Sequence, residues 1–341
     1  MDFVTDQRFE ATRFVPGSVY SRLTDLRIRR PGLAGRLLAE RRRRRLVTKD
    51  GRLTLIAADH PARMVTGIRE DPLRMGRRQE LLSRVLRVIG CSPFDGVLGT
   101  ADIIDDLAVL SSLSRRRGAL MDGKLLIGSV NRGGIAGSSF ELDDRVTGYD
   151  VKGAVRAGLD GVKFLLRFDP DDNGSLETLS YCVDVMRECT AAKMPLFIEP
   201  LPVVRRDGKV KTDNDKGKLV KLVGVVSGLG SSSANVWLKL PYCEAFGEVA
   251  RATTLPILLL GGEASDDVRG LLSQIESAME SGPNVRGVMM GRNLLYPPDD
   301  DPLPLAMAVN SIVHDGLKAA EAVDRMKEWS GKNLDVFPSN D

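Results

Sequence analysis

Eight short apolar runs, separated by stretches with helical spacing, recur along most of this chain, and they constrain its fold more than any other feature. They read "LTLIAADH" (53–60), "FDGVLGT" (94–100), "KLLIGSVN" (124–131), "GVKFLLRF" (161–168), "PLFIEPLP" (195–202), "NVWLKLPY" (235–242), "PILLLGGE" (256–263) and "GVMMGRNL" (287–294). Runs of this length, rich in Val, Ile, Leu and Phe and bounded by Gly, Pro and Asp, read as strands buried on both faces. Such strands pair in parallel, and a parallel pair cannot be joined by a tight turn; it needs a crossover, usually a helix. One of these crossovers, "SLETLSYCVDVMRECTAAK" from Ser175, opens with a pattern resembling a capping box.

Eight strands alternating with helices is the sequence shape of a (β/α)8 TIM barrel. An open doubly wound sheet is the competing topology, but it calls for a Gly-rich turn after the first strand, and "AADHPARM" has none. At 341 residues the chain suits one barrel with additions. The expected division is an N-terminal helical extension over 1–48, the barrel over 49–325 and a C-terminal tail over 326–341. A helical pattern runs from Ser18 to Leu46 and ends in five arginines, Arg41 to Arg45. An anionic partner could recognise that run, but the simpler reading is a solvated helix end whose cations complement the dipole. The charged stretch "RRDGKVKTDNDKGK" (205–218) contains an Asp-Gly pair, which predicts a hairpin or a mobile loop over the barrel mouth.

Composition narrows the function. With 49 Lys and Arg against 46 Asp and Glu, the formal charge is only +3, so any basic site is local and no nucleic-acid partner is expected. Four cysteines, Cys91, Cys182, Cys189 and Cys243, show neither a Cys-x-x-Cys pair nor metal-ligand spacing, which points to a reducing, cytoplasmic setting. The start "MDFVTDQRFEATRF" lacks the basic-then-apolar form of a signal peptide, and no apolar run approaches the ~18 residues of a membrane span. Only two histidines, His60 and His314, are present, so a three-histidine zinc site is impossible; no metal and no cofactor are expected.

In a barrel of this type chemistry sits at the C-terminal ends of the strands. That rule selects Asp59, Asn131, Lys163, Arg167, Glu199 and Lys239. Strand alternation places Lys163 with Arg167 on one face, and Trp237 with Lys239 and Pro241. If these faces point inward, two lysines and two carboxylates converge. A lysine in a water-poor pocket beside another cation has its charged form disfavoured, and its neutral amine can then attack a carbonyl to form a Schiff base. A buried ion pair is the alternative for either lysine. Gly261 and Gly262 end the seventh run, and Gly291 with Arg292 ends the eighth; in this fold those two loops form the usual phosphate cradle.

These pieces bring out a resemblance. "IAADHPAR", "GLDGVKFLLRFDPD", "LFIEP", "VWLKLPY", "ILLLGGEAS" and "GVMMGRNLL" together resemble the class I, Schiff-base aldolases of the superfamily of deoxyribose-phosphate, tagatose-bisphosphate and archaeal-type fructose-bisphosphate aldolases. The likeness covers about residues 50–300 and is strongest to actinobacterial aldolase-like proteins of inositol and sugar catabolism. It implies Lys239 as the Schiff-base lysine, Lys163, Asp59 and Glu199 as its partners, Gly261, Gly262, Gly291 and Arg292 on a phosphate, and Arg167 at the pocket rim, where tagatose-type enzymes resemble "KFLLYYD". The archaeal-type tyrosine of the fifth strand has no counterpart in "FIEPLP", which leaves the general acid among Glu199, Asp59 and Tyr242. The expected activity is carbon–carbon cleavage or formation in a phosphorylated ketose or keto-sugar acid. Dihydroxyacetone phosphate would be the retained half, 2-deoxy-5-keto-gluconate 6-phosphate a candidate substrate, and the assembly a homo-oligomer. A phosphate-binding isomerase or epimerase without a covalent intermediate, and an inactive barrel that binds a partner through its arginines, are the rival readings.

Overall fold

A computed structural model describes residues 9–131, 135–298, 300–332 and 335–338. Eight parallel strands close into a (β/α)8 TIM barrel: β1 (Leu53–Ala57), β2 (Gly96–Gly99), β3 (Leu125–Ser129), β4 (Gly161–Phe168), β5 (Leu196–Arg206), β7 (Val236–Leu240), β8 (Ile257–Leu260) and β9 (Val285–Met290). Their order is β4-β3-β2-β1-β9-β8-β7-β5, and pairing of β4 with β5 closes the ring. Each lies within a run read as a strand, except that β9 starts two residues earlier and β5 runs on to Arg206.

That longer β5 turns back through Asp207 and Gly208 (φ 52° and 73°) into β6 (Lys209–Thr212), which pairs with it antiparallel. Two consecutive positive φ values are what a tight hairpin turn demands. The Asp-Gly pair therefore makes a hairpin. Its inward face continues that of β5, so Val203 and Val210 join the wall of the mouth.

Alternation divides the strand side chains into two cores. Leu53, Leu55, Ala57, Leu98, Leu125, Ile127, Phe197, Leu258 and Met289 fill the barrel axis, with Trp237 packed against them. The opposite faces lie under the surrounding helices in one larger apolar cluster. The helix after β4 runs over Asn173–Ala192 and is capped by Asp172, which accepts from Gly174 N; Ser175 lies inside the helix and accepts from Asp169 N instead of forming a capping box.

The N-terminal residues pack onto the barrel as α1 (Ala11–Phe14), α2 (Gly17–Arg29) and α3 (Leu33–Glu40), burying Phe14, Val19, Leu23 and Leu38. The pattern from Ser18 to Leu46 is thus not one helix. Pro31 and Gly32 interrupt it, and α3 ends at Glu40. The arginine run is neither helical nor wholly solvated, which corrects the reading above. Arg41 and Arg43 both hold Asp160, at 2.5 and 3.0 Å, and Arg44 holds Asp95 at 2.6 Å. Arg41 also donates to the carbonyls of Lys124 and Gly158. Asp160 and Asp95 stand just before β4 and β2, so these contacts fasten the extension to the N-terminal end of the barrel. Arg42 alone of these four keeps a largely exposed side chain.

Candidate active site

At the C-terminal end of the barrel lies a cavity of about 710 Å³. Its floor is made by the tops of β1, β4, β5 and β7, the level at which the inward apolar layers stop. Here alternation presents Lys163, Glu199 and Lys239 to the axis, with Asp59 two residues beyond β1. All four are buried. Four charges placed here are tolerable only if they compensate one another.

They do so through Glu199. Its Oε2 lies 2.5 Å from Lys163 Nζ and its Oε1 lies 2.9 Å from Lys239 Nζ. Lys163 Nζ is also 3.7 Å from Asp59 Oδ2. Burial by itself would push the Glu199 carboxyl up, but Lys163 and then Lys239 outweigh it and hold its pKa down at about 2. A carboxylate held so low is a weak base. The two lysines therefore neighbour each other across one carboxylate, as the ion-pair reading of the sequence expected.

The loops after β8 and β9 complete the wall. Gly261 and Gly262 follow β8, Gly291 and Arg292 follow β9, and all four line the cavity. A Cβ on Gly291 would lie 2.4 Å from His60 Cε1 and 2.8 Å from the Ala57 carbonyl oxygen, so only glycine fits between β9 and the turn after β1. Gly262 has a left-handed φ of 70°. Asn293 couples the two loops by accepting from Ser265 N at 2.6 Å and donating to the Gly261 carbonyl. Arg292 Nη1 stands 3.7 Å from the exposed carboxylate of Glu263. Backbone N–H groups beside a guanidinium suit a phosphate.

Of the other sequence candidates, Arg167 lines the cavity, and Asn131 and Tyr242 do not. Arg167 is buried and engages Glu141 through both the carboxylate and the backbone carbonyl. Arg63 approaches the same carboxylate at 3.3 Å and Asp144 at 3.6 Å, so Arg167 belongs to a buried ionic group that anchors the loop after β3 to the cavity wall. Asn131 bridges backbone groups through its side chain and lies outside the cavity lining. Tyr242 stacks on Phe246, and its hydroxyl meets Ser277 at 3.3 Å. That direction leads away from the cavity and removes Tyr242 from the candidate acids.

Sequence reasoning missed Ser129, whose hydroxyl donates to Asp59 Oδ2 at 3.1 Å, and passed over His60, whose Nδ1 is 3.9 Å from Asp59 Oδ1. The signal for Ser129 was present. Leu125 and Ile127 occupy the axis, so a serine two residues on is the next inward position. Among the described residues, no group of three or more His, Cys, Asp or Glu side chains is placed to hold a metal ion, and no helix is long and apolar enough to cross a membrane.

Known proteins resemble this chain. A protein-family model described as Cgl0159-like matches residues 51–313. The crystal structure of Cgl0159 from Corynebacterium glutamicum is 38% identical, with a TM-score of 0.83 over 89% of this chain and 99% of that one. The 2-amino-3,7-dideoxy-D-threo-hept-6-ulosonate synthase 1 of Archaeoglobus fulgidus is 23% identical over 84% of this chain and 96% of its own length. A tagatose 1,6-diphosphate aldolase of Streptococcus pneumoniae is 28% identical over 46% of this chain and 55% of its own.

Proposed function

The chain belongs to the Cgl0159-like family, and from that premise we propose that it is a class I aldolase whose Lys239 forms a Schiff base with a phosphorylated ketose or keto-sugar acid. One observation carries the reading: Lys239 and Lys163 hold the two oxygens of one buried carboxylate at the floor of a cavity whose far wall carries Gly261, Gly262, Gly291 and Arg292. The names of two relatives, a tagatose 1,6-diphosphate aldolase and a heptulosonate synthase, support the same class of chemistry.

In the cleavage direction, the phosphate settles on the Gly261–Gly262 and Gly291–Arg292 loops, which places the ketone over the floor. Lys239 Nζ, after losing a proton to solvent, attacks the carbonyl carbon, and loss of water leaves a protonated imine. Asp59 then takes the proton of the hydroxyl β to the imine carbon, whose oxygen becomes the aldehyde oxygen as the bond between the α and β carbons breaks. The electron pair of that bond flows into the imine, and an aldehyde leaves. Protonation of the resulting enamine and hydrolysis of the imine release the retained half and restore Lys239. Glu199 holds both amines in register, and Lys163 stands between Glu199 and Asp59. Dihydroxyacetone phosphate is the retained half in this scheme, and 2-deoxy-5-keto-gluconate 6-phosphate is the candidate substrate that links it to inositol catabolism.

The test is reductive trapping. The protein is incubated with dihydroxyacetone phosphate or 2-deoxy-5-keto-gluconate 6-phosphate, treated with borohydride and digested, and the modified peptide is identified by mass. The adduct is expected on the peptide bearing "NVWLKLPY". Modification of Lys163 instead reverses the roles of the two lysines. Turnover of a sugar phosphate without any adduct transfers the site to the non-covalent isomerase reading.

A further inference from the structure

We propose that Ser129 is a positioning residue for the carbon–carbon bond step, acting through Asp59; the inference rests on the Schiff-base reading. Ser129 is fully buried at the end of β3, and it is not part of the cavity wall, so its hydroxyl reaches no substrate directly. Its register partner on β4 is Lys163, which brings both side chains to the same level of the barrel. There both converge on one atom. Ser129 Oγ donates to Asp59 Oδ2 at 3.1 Å, and Lys163 Nζ stands 3.7 Å from that same oxygen.

An ionised carboxylate only accepts, so with Asp59 charged the serine proton points at Oδ2. The serine hydrogen bond on Oδ2 fixes the plane of the carboxylate, a terminal torsion that is otherwise broad. The charged and titratable groups around Asp59 include Lys163 on β4, Glu199 on β5, which holds Lys163 in place, and His60 beside it in the chain, 3.9 Å from Oδ1. None of these fixes the plane as Ser129 does. Lys163 is shared with Glu199 at a shorter distance, and His60 stands beyond hydrogen-bonding reach of Oδ1. Ser129 thus orients the base. It has no part in forming the imine, which belongs to Lys239 on the far side of Glu199.

The test separates these two steps. In Ser129→Ala, the kcat for cleavage is expected to fall by about ten- to a hundredfold, the size of a lost hydrogen bond to a charged group. KM and the rate of borohydride trapping should stay near those of the unmodified enzyme. Ser129→Thr, which keeps the hydroxyl, should recover most of the cleavage rate. Unchanged cleavage in the alanine variant, or an equal fall in cleavage and trapping, overturns the proposal, because the first denies any role and the second indicates a purely structural one. If Ser129→Ala does not fold, Ser129→Cys, similar in size but a weak donor, is subject to the same two criteria. Failure of the unmodified enzyme to form an adduct with a substrate that it turns over rejects the Schiff-base reading itself, and is told apart by preceding any effect of Ser129.

Discussion

Glu199 at the barrel mouth and Asp160 at the opposite end are built alike: each is a buried carboxylate whose two oxygens are held by two cations distant from it in the sequence. The cations differ. At the mouth they are lysines, compact amines that can release a proton and become nucleophiles. At the other end they are Arg41 and Arg43, planar guanidiniums that stay charged at any working pH and match a carboxylate with a rigid fork. Asp160 also accepts from Leu126 N, and Asp95, held by Arg44, accepts from Thr54 N, so the arginine end ties strand starts to the extension. The same electrostatic device is built from lysines beside the cavity and from arginines at the end that carries the extension.

The sharpest way to break this comparison is to remove one cation from each end. Lys239→Met should lower carbon–carbon cleavage on the order of a thousandfold or more and eliminate the trapped adduct, as loss of a covalent nucleophile does. Its thermal midpoint should fall as well, because Glu199 and Asp59 are left to share Lys163 alone, so cleavage is compared per folded molecule. Retention of cleavage would place the nucleophile elsewhere. Arg292→Ala comes next: KM for a phosphorylated substrate should rise about ten- to a hundredfold, while an unphosphorylated analogue is little affected. Equal penalties on both substrates would make Arg292 structural.

At the arginine end the expected effect is on stability. Arg41→Met leaves Asp160 with Arg43 alone, whose side chain is half exposed, and should reduce unfolding free energy by about 3 kcal/mol. Turnover per folded molecule should remain that of the unmodified protein, read by activity at a temperature where both are folded. A large loss of turnover in a native-like variant would couple the two ends and defeat the contrast. The smallest effect concerns His314, which meets Asp50 at 2.7 Å and Asp95 at 3.2 Å. Burial disfavours its charged ring, but the bonds to Asp95 and Asp50 prevail and raise its pKa above 6.5. The stability it contributes is therefore complete below about pH 6.5 and is lost as pH rises through the elevated folded value. A pH series of unfolding midpoints should show this decline, and His314→Gln should flatten it.

The strands were legible because a barrel strand buried on both faces announces itself as a short apolar run, and the hairpin because Asp207-Gly208 demands a particular turn. Lys163, Glu199 and Lys239 were legible because a charged residue at the end of such a run is hard to place anywhere but over the axis. What the sequence concealed was pairing at long range. Arg41 and Asp160 lie 119 residues apart and Arg44 and Asp95 lie 51 apart, so nothing local reveals that the arginines are buried partners. Arg167 was placed on the correct face, but its partner Glu141 comes from the loop after β3, which no periodicity positions. The break between α2 and α3 was readable and overlooked, since Pro31 removes a helix donor and Gly32 follows it.

Asn131 carries a consequence for how the entrance could change. The strand-to-strand register of β3 with β4 ends at Ser129 and Lys163, yet the Asn131 carboxamide accepts from Leu165 N at 2.7 Å and donates to the Leu165 carbonyl at 2.6 Å, imitating one more strand residue. In evolutionary terms, the rim at this seam is inherited through a single codon. While the carboxamide persists, the neighbouring loop can drift in length and sequence without unpairing Leu165. Its replacement by a short apolar residue would orphan two buried backbone groups at once, so a lineage that remodels this edge of the mouth must first supply another partner for them.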